Sequence, residues 1–568
     1  MVVGLEFSQY IIKGSGQFFH RWRRHFHQLV LGIGLAALAT LPAKAADKIF
    51  FQYGPALRSL EIESIETFAT AGTVPEDLAF YFRIMGVTEA EKATFREVLQ
   101  TPAEIDPDLL ARLLYTGFGE EILTGLGNII RTRSGQNGQF SLRAALILAS
   151  QDPDGLTLLN VFRQLPTDLQ INFADINDLK QAVEWLETAT NTSIENMRQL
   201  AAAEIAQASV VTYDSLPDLR QSGRYGTQRY RIELTDSGRD RQFYVEIFQP
   251  QRWRPGKTPV LLFSHGLGAS PQASQEEALH LASYGFLVAS IQHPGSDQLQ
   301  QNAFKAGLTN QIYHISEFLD RPLDVSFLLD HLEGINQEEF DGRLDLENVG
   351  MAGHSFGGDT ALAVARATIG FDHLDDICSR PFKYLNIALL LQCDALKLPQ
   401  RVHSFRDSRI TSIAVKNPVN SSIFGPEGLA NVEVPVLIAA GSLDPATPVV
   451  FEQFQTFPWF TVTPRYLVLM EGQAHVDISE LDVGISQILG SINGLTIATD
   501  EELEQYVKAL SVAFFETYAG RKPDYQLYLR SAYARYLSRG QRFKIFMVSE
   551  GSGEQLVEPI EGRPLNLE

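Results

Sequence analysis

Residues 349–361 read VGMAGHSFGGDTA, and the fold turns on whether Ser355 is a nucleophile or only a small residue in a glycine-rich turn. The pentapeptide Gly353-His354-Ser355-Phe356-Gly357 fits G-x-S-x-G, in which a sharp strand-to-helix turn points a serine hydroxyl away from a sheet. Such a pentapeptide also arises by chance in a long chain, so its meaning rests on the elements around it.

Those elements form a pattern. Short runs rich in Val, Ile and Leu at 259–264, 286–291, 349–352, 410–415, 436–440 and 466–470 alternate with amphipathic helical segments. Continuously apolar strands separated by helices predict a mainly parallel sheet covered on both faces, an α/β architecture. A β-hairpin precedes it, with Tyr230, Ile232 and Leu234 alternating with polar residues, a turn at Asp236-Ser237-Gly238, and Phe243, Val245 and Ile247 alternating again. Ser355 then falls just past the carboxyl end of a strand, where such sheets place their chemistry.

A serine hydroxyl needs a base to accept its proton and a third group to orient that base. In this architecture the partners follow in the order Ser, acid, His. The run 436–440 leads into Gly441-Ser442-Leu443-Asp444-Pro445, and the run 466–470 leads into Gly472-Gln473-Ala474-His475. Asp444 and His475 are therefore the expected acid and base. Alone, each has a plainer reading, Asp444 as a turn initiator and His475 as a solvated loop residue. Together, in the right order after three strand ends, they point to a triad. The expected oxyanion donors are the N–H of Phe356 and, in Ser264-His265-Gly266-Leu267-Gly268, the N–H of Leu267. His265 and His354 read as supports of their turns. His293 reads as a loop histidine bonded to backbone, the alternative being a place in the pocket.

The 568 residues exceed a single ordinary core, and 45% hydrophobic with 20% charged residues describes a globular chain. A formal charge of −21 argues against nucleic acid or anionic lipid as a partner, because both require a clustered positive surface. Arg21, Arg23 and Arg24, the apolar run 29–41 and Ala43-Lys44-Ala45 follow the order of a secretory signal, with cleavage expected after Ala45 and an uncleaved anchor as the alternative. Residues 1–45 are thus read as a signal peptide of an exported, periplasmic or secreted protein.

Residues 46–206 read as a mostly helical accessory domain, opened by a short hairpin around Gly54-Pro55, with helix starts at Thr88 with Glu91 and at Asp106 with Pro107. It contains no histidine and no cysteine, so it reads as a cap or as a surface for an unknown partner. A linker at 207–226 leads to a catalytic domain at 227–495 with a lid-like insertion at 370–409, C-terminal helices at 496–548, one starting at the capping box Thr499 with Glu502, and a tail at 549–568 expected to be poorly ordered. The insertion holds both cysteines, Cys378 and Cys393, which are either bridged or two buried thiols. No C-x-x-C or H-E-x-x-H pattern occurs, and the chemistry expected requires neither metal nor cofactor.

The run PVLLFSHGLGASPQASQEEALHLASYGFLVASIQHPGSD and the later GHSFGG resemble the platelet-activating-factor acetylhydrolase and dienelactone-hydrolase-like branch of the α/β-hydrolases. The resemblance implies an α/β-hydrolase fold over about residues 227–495, with Ser355 as nucleophile, Leu267 and Phe356 at the oxyanion positions and His475 as general base. One departure stands out. The acetylhydrolases take their acid from the preceding strand, yet AVKNPVNSS at 414–422 holds no carboxylate, and GSLDPATP resembles the acid loop of bacterial cutinase-like polyester hydrolases. The amino-terminal region resembles an uncharacterised domain found ahead of such hydrolases in cyanobacteria. The expected activity is serine-dependent hydrolysis of lipid or other apolar carboxylic esters. A peptidase or thioesterase would share the same triad, and a non-catalytic envelope binding protein would be expected to have lost part of it. Phe451, Phe454, Phe457, Trp459 and Phe460 read as core, the alternative being an acyl pocket.

Overall fold

A computed structural model describes residues 45–561 apart from 104, 381–382 and 476–497. All but the last residue of the expected signal peptide lies outside the described residues, as does the start of the C-terminal helical region.

The described chain divides into two compact units that interleave in sequence, one of residues 45–101 and 130–171, the other of 102–129 and 172–561. In the first unit, β1 (Lys48–Tyr53) and β2 (Ala56–Glu61) form the hairpin expected around Gly54, and β3 (Ile130–Thr132) and β4 (Leu169–Asn172) complete a sheet of order β2-β1-β4-β3. Helices at Ile62–Ala71, Glu76–Met85 and Glu89–Gln100 bury Ile65, Phe68, Leu78, Phe82 and Leu99. The Thr88 capping box with Glu91 forms as read from sequence.

The second unit carries a nine-stranded sheet. Its strands are β5 (Thr227–Asp236), β6 (Arg241–Pro250), β7 (Thr258–Ser264), β8 (Leu287–Ile291), β9 (Leu344–His354), β10 (Ile410–Lys416), β11 (Val436–Gly441), β12 (Arg465–Met470) and β13 (Ile545–Ser549). Their order is β13-β12-β11-β10-β9-β7-β8-β6-β5, parallel from β8 to β12 and antiparallel at both margins. This is an α/β-hydrolase fold. β7, β8 and β11 are buried at every residue, which is why they read as unbroken apolar runs. One face packs on helices that include Glu317–Phe340 and Phe356–Val364, and the other on Gln275–Ser283 and Asp500–Tyr518.

Two expectations are corrected. The helical stretch 46–206 is not one compact body, because 102–129 and the Phe173–Gln207 helix group with the hydrolase sheet. The reason is packing: Ala189, Met197 and Ala201 on that helix are buried in the same cluster as Val245, Leu262 and Leu469, and the Arg112 guanidinium donates to the Lys305 carbonyl at 2.6 Å. Residues 549–561, expected as tail, are also ordered structure. β13 pairs antiparallel with β12, and a helix at Gly553–Glu561 buries Leu556 and Ile560.

Candidate active site

β9 ends at His354, and the helix Phe356–Val364 begins two residues later, so Ser355 must turn the chain within one residue. It does so at φ 54° and ψ −118°, a conformation that costs a non-glycine residue on the order of 1–3 kcal/mol. Such a turn needs close backbone approach on both sides. A side chain at Gly353 would begin 2.0 Å from the Gly357 carbonyl oxygen, and one at Gly357 would begin 2.0 Å from that of Ser264. The flanking glycines thus let the elbow sit against β7. The Ser355 N–H donates to the Lys416 carbonyl at 3.0 Å, tying the turn to β10 as well.

Three strand ends converge here. Ser355 Oγ lies 2.8 Å from His475 Nε2, and His475 Nδ1 lies 2.7 Å from Asp444 Oδ2. The Asp444 carboxylate is buried, and it accepts from the N–H groups of Ala446 and Thr447 through Oδ1 (both 2.9 Å) and from the Thr447 hydroxyl through Oδ2 (2.7 Å). Those donors fix the carboxylate so that Oδ2 faces the ring. With Nδ1–H directed at Asp444, Nε2 is left to accept the serine proton. Ser355 is 6% exposed.

The segments of the two residues expected to supply oxyanion donors also come to Ser355. Phe356 is the first residue of its helix, where backbone N–H groups have no intrahelical acceptor. A side chain at Gly266 would begin 3.3 Å from Ser355 Cβ, so the loop that carries Leu267 runs directly past the serine.

That loop is held by a buried polar network that sequence reasoning missed. His293, read as a loop histidine bonded to backbone, is fully buried between two side chains, with Nε2 2.9 Å from Ser264 Oγ and Nδ1 2.9 Å from Asp324 Oδ2. Burial first, and then the nearby Arg321, Arg241 and Arg239, hold its pKa well below the usual imidazole value. The ring is therefore neutral, donating from Nδ1 and accepting at Nε2. His265 is neutral for the same leading reason, accepting the His293 N–H at Nε2 (3.2 Å) and donating from Nδ1 to the Gly266 carbonyl (2.8 Å). Arg321 donates to the His265 carbonyl (2.7 Å), and the Gly268 N–H donates to the Ser296 carbonyl (2.8 Å). Arg241 binds both Glu317 and Asp324, and Arg239 binds Asp324, so the charges beneath the loop are paired. Ser264, His293 and Asp324 thus repeat the order of atoms found in Ser355, His475 and Asp444, but with every member buried.

Residues 370–409 are fastened to the body. Cys378 and Cys393 are disulfide-bonded. The fully buried Glu452 accepts from Asn386 (2.7 Å) and Gln392 (2.8 Å) of the insertion and from the Ser421 hydroxyl and the N–H groups of Asn420 and Ser421. Tyr313, whose ring lies 6.3 Å from that of Phe356, donates to Asp394 of the insertion at 2.6 Å. Phe451, Phe454, Phe457 and Phe460 are buried in the core, whereas Trp459 is only partly buried against it and, with Phe451, lines a pocket beside His373 and Leu389.

A family model described as an alpha/beta hydrolase of unknown function (DUF1400) matches residues 45–172, and the chlorophyllase model matches residues 216–377. Among curated proteins the chain is similar to platelet-activating factor acetylhydrolase of Cavia porcellus, 30% identical over 154 residues that cover 21% of this chain and 35% of that protein. The protein of the same name from Canis lupus familiaris is 27% identical over 160 residues, covering 21% and 36%. The chain therefore spans about a third of the length of the curated relatives it matches.

Proposed function

We propose, from the premise of an α/β-hydrolase on the platelet-activating-factor acetylhydrolase branch, that this protein is a serine-dependent carboxylic ester hydrolase acting on lipid or other apolar esters. The observation that carries the reading is the continuous hydrogen-bonded chain Ser355–His475–Asp444, with distances of 2.8 and 2.7 Å. His475 Nε2 takes the proton as Ser355 Oγ attacks the ester carbonyl, and Asp444 stabilises the imidazolium and keeps its tautomer. The N–H groups of Leu267 and Phe356 bind the oxyanion, each worth about 10²- to 10³-fold in rate. Collapse of the tetrahedral intermediate expels the alcohol, which takes its proton from His475. Water, activated by His475, then hydrolyses the acyl-enzyme and frees Ser355.

The disulfide supports a protein exported to an oxidising compartment. The apolar-ester class is drawn from the acetylhydrolase likeness.

The test is hydrolysis of p-nitrophenyl esters from C2 to C16 by the wild-type protein and by Ser355→Ala. Turnover that falls by at least about 10³-fold in the variant supports a serine esterase, and the chain-length optimum sizes the acyl pocket. Turnover that persists in Ser355→Ala, or folded wild-type protein inert at every length, overturns the reading.

A further inference from the structure

β11 and β12 run side by side and end together, Gly441 opposite Met470. The strand pairing stops there, yet Asp444 and His475 lie further along and still have to meet. Two backbone bonds carry the alignment onward: the Ser442 N–H donates to the Met470 carbonyl at 3.1 Å, and the Leu443 N–H donates to the Gln473 carbonyl at 3.0 Å. Between them the Gly472 N–H donates to Ser442 Oγ at 3.0 Å. The two backbones are pressed together, since a side chain at Gly441 would begin 2.6 Å from the Gln473 carbonyl oxygen.

Of these three bonds only the last runs through a side chain, so it is the one that residue identity decides. Gly472 is buried, and Ser442 Oγ is the sole acceptor of its N–H among the described residues. Gly472 turns at φ 74° with the Phe543 ring 2.3 Å from where a side chain would begin, so the turn is braced from behind. The other side-chain contacts of this loop lead away from the acid: Glu471 accepts from Arg198 at 2.6 Å and from the Lys544 N–H at 3.1 Å. The Asp444 carboxylate is held by Ala446 and Thr447 of its own loop. Among the described residues, the Ser442–Gly472 bond is thus the side-chain link between the acid loop and the base loop that does not pass through the reacting groups themselves.

Ser442 stands two residues before Asp444, and Gly472 three before His475. We propose that Ser442 is a positioning residue of the catalytic centre, setting the separation of acid and base by accepting the Gly472 N–H. This rests on the reading of Ser355, His475 and Asp444 as a catalytic triad. Removing the hydroxyl leaves a buried N–H without an acceptor, a cost that the turn relieves by moving. A shift of about 1 Å in a catalytic group costs on the order of 10²-fold in rate. The loss falls on proton transfer and not on ester binding, because the oxyanion donors lie on other loops.

The experiment compares the full chain as wild type, Ser442→Ala, Ser442→Thr and Ser442→Val on p-nitrophenyl butyrate. For each, the far-downfield proton resonance of the His475–Asp444 hydrogen bond is recorded, identified by its loss in His475→Gln. Ser442→Ala is expected to lower kcat about 10- to 100-fold with KM within about twofold, and to shift the resonance or broaden it away. Ser442→Thr keeps the hydroxyl and should stay within about threefold of wild type, whereas Ser442→Val, of the same shape, should fall as Ser442→Ala does. That pair gives the reading should Ser442→Ala fail to fold. Equal kcat in the Thr and Val variants, a loss confined to KM, or a resonance unchanged in the folded Ala or Val variant overturns the proposal. A wild type without esterase activity whose resonance is nonetheless lost in Ser442→Val would support the positioning and count against the proposed function alone.

Discussion

Asp444 shows how much a single side chain can decide at this site. Its two oxygens accept three bonds from Ala446 and Thr447 before it meets His475, so the imidazole is oriented by a carboxylate that is itself held. Asp444→Asn keeps the shape but turns an acceptor into a donor toward Nδ1, favouring the wrong tautomer. Its kcat for p-nitrophenyl esters is expected to fall by about 10³- to 10⁴-fold with little change in KM. A loss smaller than tenfold would remove Asp444 from the triad. Gly357 is decisive in a different way. Its place above the Ser264 carbonyl leaves no room for a methyl group, so Gly357→Ala must shift β7 or the elbow. It is expected to destabilise the fold by about 3 kcal/mol or more, read as a lowered urea midpoint. An unchanged midpoint would show that the turn has slack the distances deny.

The loop after β7 was legible as a site, but what holds it was not. Glu317, Asp320, Arg321 and Asp324 recur at helical spacing and look like the solvated face of a helix; in the fold, Glu317, Arg321 and Asp324 are wholly buried. Their partners, Arg239 and Arg241 for the two carboxylates, His293 for Asp324, and Ser296 and the His265 carbonyl for Arg321, come from other segments of the chain, and nothing local encodes those meetings. The sheet was readable for the opposite reason. A buried parallel strand carries its environment in its own composition, so the ends of β9, β11 and β12 could be located and the loops bearing Ser355, Asp444 and His475 followed from them. β13 escaped because an edge strand reached after a long helical region has no neighbour in sequence to announce it. The network makes its own prediction. His293→Ala leaves Ser264 and Asp324 without their shared partner and loosens the loop before Leu267. A loose oxyanion donor affects the transition state more than bound ester, so kcat is expected to fall about 10- to 100-fold while KM stays within about twofold. Affinity for a boronate analogue should fall in parallel. A rise in KM alone, or wild-type kinetics, would deny the loop this dependence.

Across the whole molecule, the same burial that organises the site sets a limit in acid. His265, His293 and His354 all have pKa values pushed well below 6.5, burial being the leading cause in each. Unfolding returns them to water, where a histidine titrates near 6.5. Above that pH both states hold them neutral, and the three contribute no slope. Below it the unfolded chain takes up protons that the fold refuses, so stability declines as pH falls from about 6.5 toward the depressed folded values. Each such histidine supplies about 1.4 kcal/mol per pH unit in that window, and three together about 4. Against a typical net stability of about 5–15 kcal/mol, one and a half units of acidification would consume much of the margin. Two effects work the other way. Protonating exposed carboxylates relieves the self-repulsion of a net charge of −21, a relief spread over the surface and screened by salt. The buried carboxyls of Asp359, Glu317 and Asp324, whose pKa values burial raises, take up protons in the fold before the unfolded chain does. In 0.2 M salt the urea midpoint is therefore expected to hold between pH 8 and 7 and to drop steeply between 6.5 and 5. His293→Gln, which removes one of the three groups, should decline about a third less steeply. A variant that falls as fast as wild type would mean that the His293 ring is not held neutral in the fold.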